Sequence, residues 1–361
     1  MYPRLTIDLN KLKSNLDAVA KITKEEGNCS LMIVTKGLCA DPEMVKLLIA
    51  HPQVDFLADS RVKNLATYVD EARSAGKETV LLRLPMKNEI AEVIKVADIS
   101  FNSEIATLRL LNEEAGRQNK LHKVVLMIDL GDLREGIFFE ETEEIEQIVS
   151  EILNMSHLQL YGIGVNLTCY GAIIPKYDNL SLLCQWAERI ESKFDIKLDM
   201  ISGGNSSSLY LIEKGELPSR INNLRLGEAF LLGNDTAFST QVKGTVRDAL
   251  IVEAQIIELK EKPSLPVGEI GVDAFGQRPH YEDKGVMKRA IVAIGRQDTD
   301  VGSIEPLDNK IRIMGASSDH LILDVTESRC DYEVGDIIQF TVGYGGMLVT
   351  ATGNYVAKIY K

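Results

Sequence analysis

The sequence predicts an α/β fold, a TIM (β/α)8 barrel followed by a C-terminal β-domain, and three observations predict it. Short apolar runs alternate with longer stretches of helical period over about the first 235 of the 361 residues. The runs are continuous and rich in β-branched residues, as in strands covered on both faces of a parallel sheet. Beyond residue 235 the helical period fades, and turn formers separate strand-like runs. Eight βα units in roughly 225 residues is the size of a TIM barrel. A doubly wound open sheet is the rival arrangement.

Residues 1–10 read as an N-terminal strand packing on the β-domain, 11–235 as the barrel and 236–361 as the β-domain. The eight apolar runs of the barrel are 30–35, 54–58, 79–84, 98–102, 123–130, 158–166, 198–202 and 223–232. Helical patterns lie between them at 44–50, 62–75, 105–118, 141–154 and 182–194. In the β-domain the runs are 246–259, 289–294, 310–314, 320–325, 336–342 and 347–358, with turn formers at 263–266 and 308–309.

A TIM barrel does its chemistry at the C-terminal ends of its strands, so the polar residues just after each run carry the functional reading. The first run ends in Val34-Thr35-Lys36. A lysine leaving a buried strand is partly desolvated, which lowers its pKa and suits a Schiff-base nucleophile. A lysine snorkelling to solvent fits the same position. The fifth run leads into Asp129-Leu130-Gly131-Asp132-Leu133-Arg134-Glu135-Gly136, placing Arg134 in a loop. The seventh leads into Gly203-Gly204-Asn205-Ser206-Ser207-Ser208. Small residues and hydroxyls there can wrap a phosphate, or simply form a glycine turn with a serine cap. The eighth carries Arg225, whose guanidinium, among interior residues, needs a carboxylate or a ligand acceptor. Each signal is weak alone, and their joint placement at strand ends carries the weight.

The chain has 53 acids against 40 bases, a net charge of −13. That argues against a nucleic-acid or anionic-membrane partner, suits a soluble cytoplasmic enzyme and mildly favours a cationic substrate. Five cysteines, Cys29, Cys39, Cys169, Cys184 and Cys330, show no C-x-x-C spacing. They read as reduced thiols, with neither a disulfide framework nor a metal site expected. The N-terminal residues lack the basic and apolar regions of a signal peptide, and no apolar run approaches the ~20 residues of a membrane span.

Further motifs join these. The chain opens on Leu5-Thr6-Ile7-Asp8-Leu9-Asn10-Lys11-Leu12 with Asn15, and continues through Val34-Thr35-Lys36-Gly37, the 129–136 loop, Gly164-Val165-Asn166-Leu167, the 203–207 loop and Leu224-Arg225-Leu226-Gly227. On these motifs it resembles the alanine racemase family of fold-type III pyridoxal enzymes, most closely its ornithine racemase branch, along nearly its whole length. Segments 293–298 and 315–324 are similar to that branch as well. The resemblance implies a racemase of free amino acids that uses pyridoxal 5'-phosphate. It places the cofactor lysine on Lys36, the active-site arginine on Arg134 and the residue backing the pyridine ring on Asn166. It assigns phosphate contacts to Asn205, Ser206 and Ser207, and the partner of the pyridine nitrogen to Arg225. A head-to-tail homodimer is also implied.

Two departures matter. The alanine racemases carry Gly-Tyr-Ala-Asp, whose tyrosine is the second catalytic base, given across the dimer interface. This chain has Gly295-Arg296-Gln297-Asp298, and an arginine is a poor base. Met127 stands where the family often has a lysine that becomes carbamylated. The second base stays open among Asp298, Cys169, Asp319 and His320. Ornithine is the favoured substrate, ahead of lysine, alanine or another amino acid, with Asp298, Asp300 and Asp319 as candidates for its terminal ammonium. The alternatives are a fold-type III decarboxylase, a non-catalytic pyridoxal-phosphate carrier and a Schiff-base aldolase. Arg225, the C-terminal β-domain and the serine loop count against them in turn.

Overall fold

The structure is a computed structural model that describes residues 1–361 apart from Ala274 and Gln277. It divides into two compact units, Leu12–Val246, and Met1–Lys11 together with Arg247–Lys361.

The first unit is a closed barrel of eight parallel strands: Ser30–Val34, Phe56–Asp59, Glu78–Leu81, Ile99–Asn102, His122–Asp129, Leu158–Gly164, Met200–Ser202 and Asn223–Leu226. Each pairs with the next, and the eighth closes on the first with Leu224 opposite Leu31 and Arg225 opposite Met32. Alternate residues fill the interior, as the pleat requires. Met32, Val34, Phe56, Ala58, Val80, Ile99, Phe101, Val125, Met127 and Met200 form one buried cluster. Gly162 is needed where the sixth strand meets the seventh, because a Cβ there would stand 1.9 Å from the carbonyl oxygen of Met200.

Helices cover the outside. Pro42–Ala50 starts on Asp41, whose carboxylate accepts from the Glu43 and Met44 N–H groups, with Pro42 in the first turn. Thr142–Leu153 buries Ile145, Ile148, Val149 and Ile152, one face at helical spacing. The helix Ile90–Val96 has no counterpart in the sequence reading, since its seven residues are too short to show a clear period. Asn15, fully buried, donates to the Phe230 and Val246 carbonyls and accepts from the Val246 N–H, so this residue of the opening motif ties down the chain after the eighth strand.

In the second unit an antiparallel sheet runs in the order Ile304–Pro306, Ile337–Val342, Leu250–Pro263, Val286–Val292, Leu321–Asp324, Arg312–Ala316. The N-terminal strand Arg4–Ile7 pairs antiparallel with Leu250–Pro263 and parallel with Ala357–Tyr360. Buried Glu253 holds it there by accepting from the Arg4 guanidinium and from the Thr6 hydroxyl at 3.2 Å. One expectation fails in this unit. The run 347–358 is not a strand: residues Tyr344–Thr352 form a helix, and the strand is only Ala357–Tyr360. Met347, Thr350 and Ala351 are buried at helical spacing, and a short continuous apolar run cannot be told from a buried helix by its period alone.

Candidate active site

Lys36 follows the first barrel strand and opens a single 3-10 turn, Lys36–Leu38. Cys39 (φ 56°) and Ala40 (φ 52°) then sit in the left-handed region, and their strain is held by the Cys39 N–H to Lys36 carbonyl bond and the Ala40 N–H to Thr35 carbonyl bond. Lys36 itself is half-buried. Burial lowers its pKa, the neighbouring Cys169 works against that, and Arg134 adds to it. Beneath it lies a buried network that sequence reasoning missed. The Thr35 hydroxyl donates to the Asp59 carboxylate at 2.6 Å and lies 3.2 Å from the Tyr68 hydroxyl, while the Arg61 N–H and the Asn64 amide also donate to Asp59. Asp59 ends the second strand with its carboxyl pKa raised by burial. An acid closing a barrel strand was the signal available.

Arg225 lies in the eighth strand, 5% exposed. Its guanidinium donates to the Ser202 hydroxyl (2.7 Å), the Val165 carbonyl (2.7 Å) and Asn166 Oδ1 (3.3 Å), and stacks 5.1 Å over the Phe101 ring. None of these hydrogen-bond partners is a carboxylate, and the acid acting on the charge is Glu135. Burial pushes its pKa down to about 10. From Arg225 a chain of contacts runs outward. Asn205 Nδ2 donates to Asn166 Oδ1 (3.2 Å), to the Leu167 carbonyl (2.9 Å) and to Cys169 Sγ (3.4 Å), while Asn205 Oδ1 caps the Ser207 N–H at 2.8 Å.

The serine loop separates into roles that the sequence could not distinguish. Ser206 Oγ accepts from the Gly227 and Ala229 N–H groups, and the Ser208 hydroxyl donates to the Gly203 carbonyl at 2.7 Å. Ser207 Oγ is buried without a partner, as is Asn166 Nδ2. Asn205 is therefore spent holding the loop, and Ser207 is the hydroxyl left to receive a ligand.

Two loops complete the mouth. The 129–136 loop turns back into the barrel at Asp132, which is fully buried. Its carboxylate accepts from the N–H groups of Thr168, Cys169, Tyr170 and Ile173 (2.9–3.3 Å), pinning the loop that follows the sixth strand. Leu133, Thr168 and Ala172 hold positive φ in these loops, strain that the Asp132 clamp maintains. Asp132 is in a motif noted from sequence, but its partners lie 36 and more residues away, so the role was not readable. Arg134 pairs with Glu135, and Glu135 is also an electrostatic partner of Lys36 and Arg225. The structure thus brings Lys36, Arg134, Asn166, Cys169, Asn205, Ser206, Ser207 and Arg225 together at one end of the barrel.

The other singled-out residues lie in the second unit, where segments 295–298 and 315–320 meet. The Arg296 N–H bonds the Ser317 carbonyl, and its guanidinium reaches the Ala316 carbonyl (3.3 Å) and stacks on Phe275. Asp298, 5% exposed, is used internally to cap the Gly295 N–H at 2.9 Å. Asp319 accepts from Gln297 and Ser318, both at 2.7 Å. His320 Nδ1 lies 3.4 Å from Ser317 Oγ, and Asp300 caps the Gly302 N–H.

Residues 7–235 match the family model described as alanine racemase, N-terminal domain. The ornithine racemase of Acetoanaerobium sticklandii is 52% identical over 358 residues, 99% of each chain. The chain belongs to the alanine racemase family. The lysine racemase of Thermotoga maritima is 36% identical over 363 residues, spanning 100% of this chain and 99% of its own. The alanine racemase of Bartonella henselae with covalently bound pyridoxal phosphate has the same fold, with a TM-score of 0.71 at 16% identity over 100% of both chains. All the barrel residues that gather at the mouth fall inside the family match.

Proposed function

We propose that this protein holds pyridoxal 5'-phosphate on Lys36 and inverts the α-carbon of a free amino acid, with ornithine preferred. The observation that carries the reading is Arg225, a buried guanidinium whose hydrogen-bond partners are all neutral oxygens. A buried guanidinium needs acceptors, and an aromatic ring nitrogen can accept from it. The remaining residues fit the same group. Ser207 Oγ and Asn166 Nδ2 are orphaned in the mouth, a hydroxyl for the phosphate and an amide beside the ring, and Lys36 supplies the amine. When bound, the cofactor supplies an electron sink for the α-carbon's bonding pair.

The chain's own residues do the rest. Lys36, its pKa lowered by burial so that more of the amine is unprotonated and free to accept, takes or returns the α-proton on one face. Arg225 would hold the ring nitrogen by a hydrogen bond without giving it a full proton, so the sink would stay modest and return of the proton would be favoured over transamination or loss of the carboxylate. A decarboxylase would place an acid there, and the chain does not. Arg134 binds the substrate carboxylate from the 129–136 loop. The protein works in the cytoplasm as a head-to-tail homodimer. Sedimentation should show the active form as the dimer, and a fully active monomer would refute that assembly.

Ornithine preference rests on the 52% identical ornithine racemase and on Arg296 and Met127 in place of the alanine-type residues. A site built around a charged group rejects an analogue lacking it. Ornithine should exceed alanine in kcat/KM by roughly a hundredfold or more. Equal values would refute the preference and leave the racemase reading intact.

Ser207→Ala should weaken cofactor binding roughly 10–100-fold, the loss of one charge-assisted hydrogen bond worth about 1.5–3 kcal/mol. Its melting temperature without cofactor should not change, because the hydroxyl has no partner in the protein. Ser206→Ala should lower both, since its oxygen also caps the Gly227 and Ala229 N–H groups. Titration of cofactor absorbance and thermal melts separate the two, and unchanged affinity in Ser207→Ala would move the phosphate elsewhere.

A further inference from the structure

We propose that Cys169 is the second proton-transfer group, acting across the barrel mouth from Lys36; this rests on the racemase reading above. Inversion needs a group on each face of the α-carbon. The guanidinium of Arg296 cannot serve as a base, while Asp298 caps the Gly295 N–H, Asp319 accepts from Gln297 and Ser318, and His320 lies beside Ser317, all in the second unit and not among the residues gathered at the barrel mouth. A thiol can both give and take a proton.

Placement favours it. Lys36 leaves the first strand, and Cys169 lies in the loop after the sixth. Around the closed barrel these strands are three apart in one direction and five in the other, so the two groups enter the mouth from opposing sides. The seventh and eighth strands between them carry the serine loop and Arg225. The sulfur lies within hydrogen-bond reach of Asn205 Nδ2, at 3.4 Å, and Lys36, Arg134 and Arg225 are its electrostatic neighbours.

The sulfur is also held firmly. Asp132 fixes its loop through four backbone N–H groups, including that of Cys169 itself. Asn205 Nδ2 donates to Sγ at 3.4 Å, and Asn205 is joined through Asn166 to Arg225. The thiol is exposed at the mouth, so solvent can exchange its proton. In one direction Lys36 removes the α-proton and Cys169 returns a proton to the opposite face. The C–H bonding pair is reused in the new C–H bond, one base gains a proton, the other loses one, and solvent restores both. The reverse direction exchanges their roles.

The test uses the cofactor-loaded protein, Cys169→Ala and Cys169→Ser, with α-deuterated L- and D-ornithine. Both variants should keep the visible cofactor absorbance and the wild-type melting temperature. Each should still wash deuterium out of one enantiomer through Lys36, while racemisation falls roughly 100-fold or more. Independently of turnover, peptide-mapped alkylation by iodoacetamide should slow about tenfold at Cys169 when ornithine is bound. Racemisation by Cys169→Ala within about threefold of wild type, or alkylation indifferent to ornithine, would overturn the thiol's role alone. A wild-type protein that racemises no amino acid would overturn the racemase reading itself.

Discussion

Replacing Lys36 with alanine should remove the visible absorbance of the bound cofactor and lower racemisation roughly a thousandfold or more. The size of the effect follows from how many duties meet at this one amine. On the proposed reading it would hold the cofactor covalently and move the α-proton on its face of the substrate. Neither duty passes to a neighbour, because the other cations of the mouth are the guanidiniums of Arg134 and Arg225, which make neither the covalent bond nor the proton transfer. The fold should be untouched. Lys36 lends its carbonyl to the Cys39 N–H, a backbone contact that alanine keeps, and its side chain is only half-buried. A melt matching wild type beside a colourless, inactive protein is the expected pair of observations. A Lys36→Ala protein that stays yellow would place the cofactor on another lysine.

Asp132→Ala should produce the largest loss of stability of any change at the site. The aspartate is fully buried, and its two oxygens take four backbone N–H groups of the 168–173 loop. Alanine leaves those donors without their acceptor. Buried donors stripped of a charged partner cost roughly 2–3 kcal/mol, which for a unit of this size is a melting temperature lower by about 5–10 °C. The loop also carries Cys169 and Thr168, the latter at φ 70°, so its release should loosen cofactor binding and lower turnover together. Hydrogen exchange of residues 168–173 gives the direct measure. Protection unchanged from wild type would show that the loop stands without the clamp.

The barrel was legible because its strands are buried on both faces, so each appears as a continuous apolar run ending in a polar residue. Lys36 stood out as the charged residue that ends the first run, and Arg225 as a charged residue among interior ones. The helix Tyr344–Thr352 was not legible as a helix, since an apolar run of that length fits either element until its packing is known. Within the site, three successive serines look alike in sequence. Only the packing shows that Ser206 and Ser208 serve the protein while Ser207 is unpartnered. The clamp at Asp132 and the Asp59–Thr35–Tyr68 network depend on contacts between residues 24 to 41 positions apart in the chain, and no local spacing encodes them.

The most direct test of the central claim is a chiral assay. Purified protein loaded with pyridoxal 5'-phosphate is given L-ornithine alone, and both enantiomers are followed to equilibrium. The account predicts that D-ornithine rises until the two are equal, with total ornithine conserved, and that starting from D-ornithine reaches the same mixture. Consumption of ornithine with release of carbon dioxide, or no change of configuration in ornithine or any other amino acid, would contradict it.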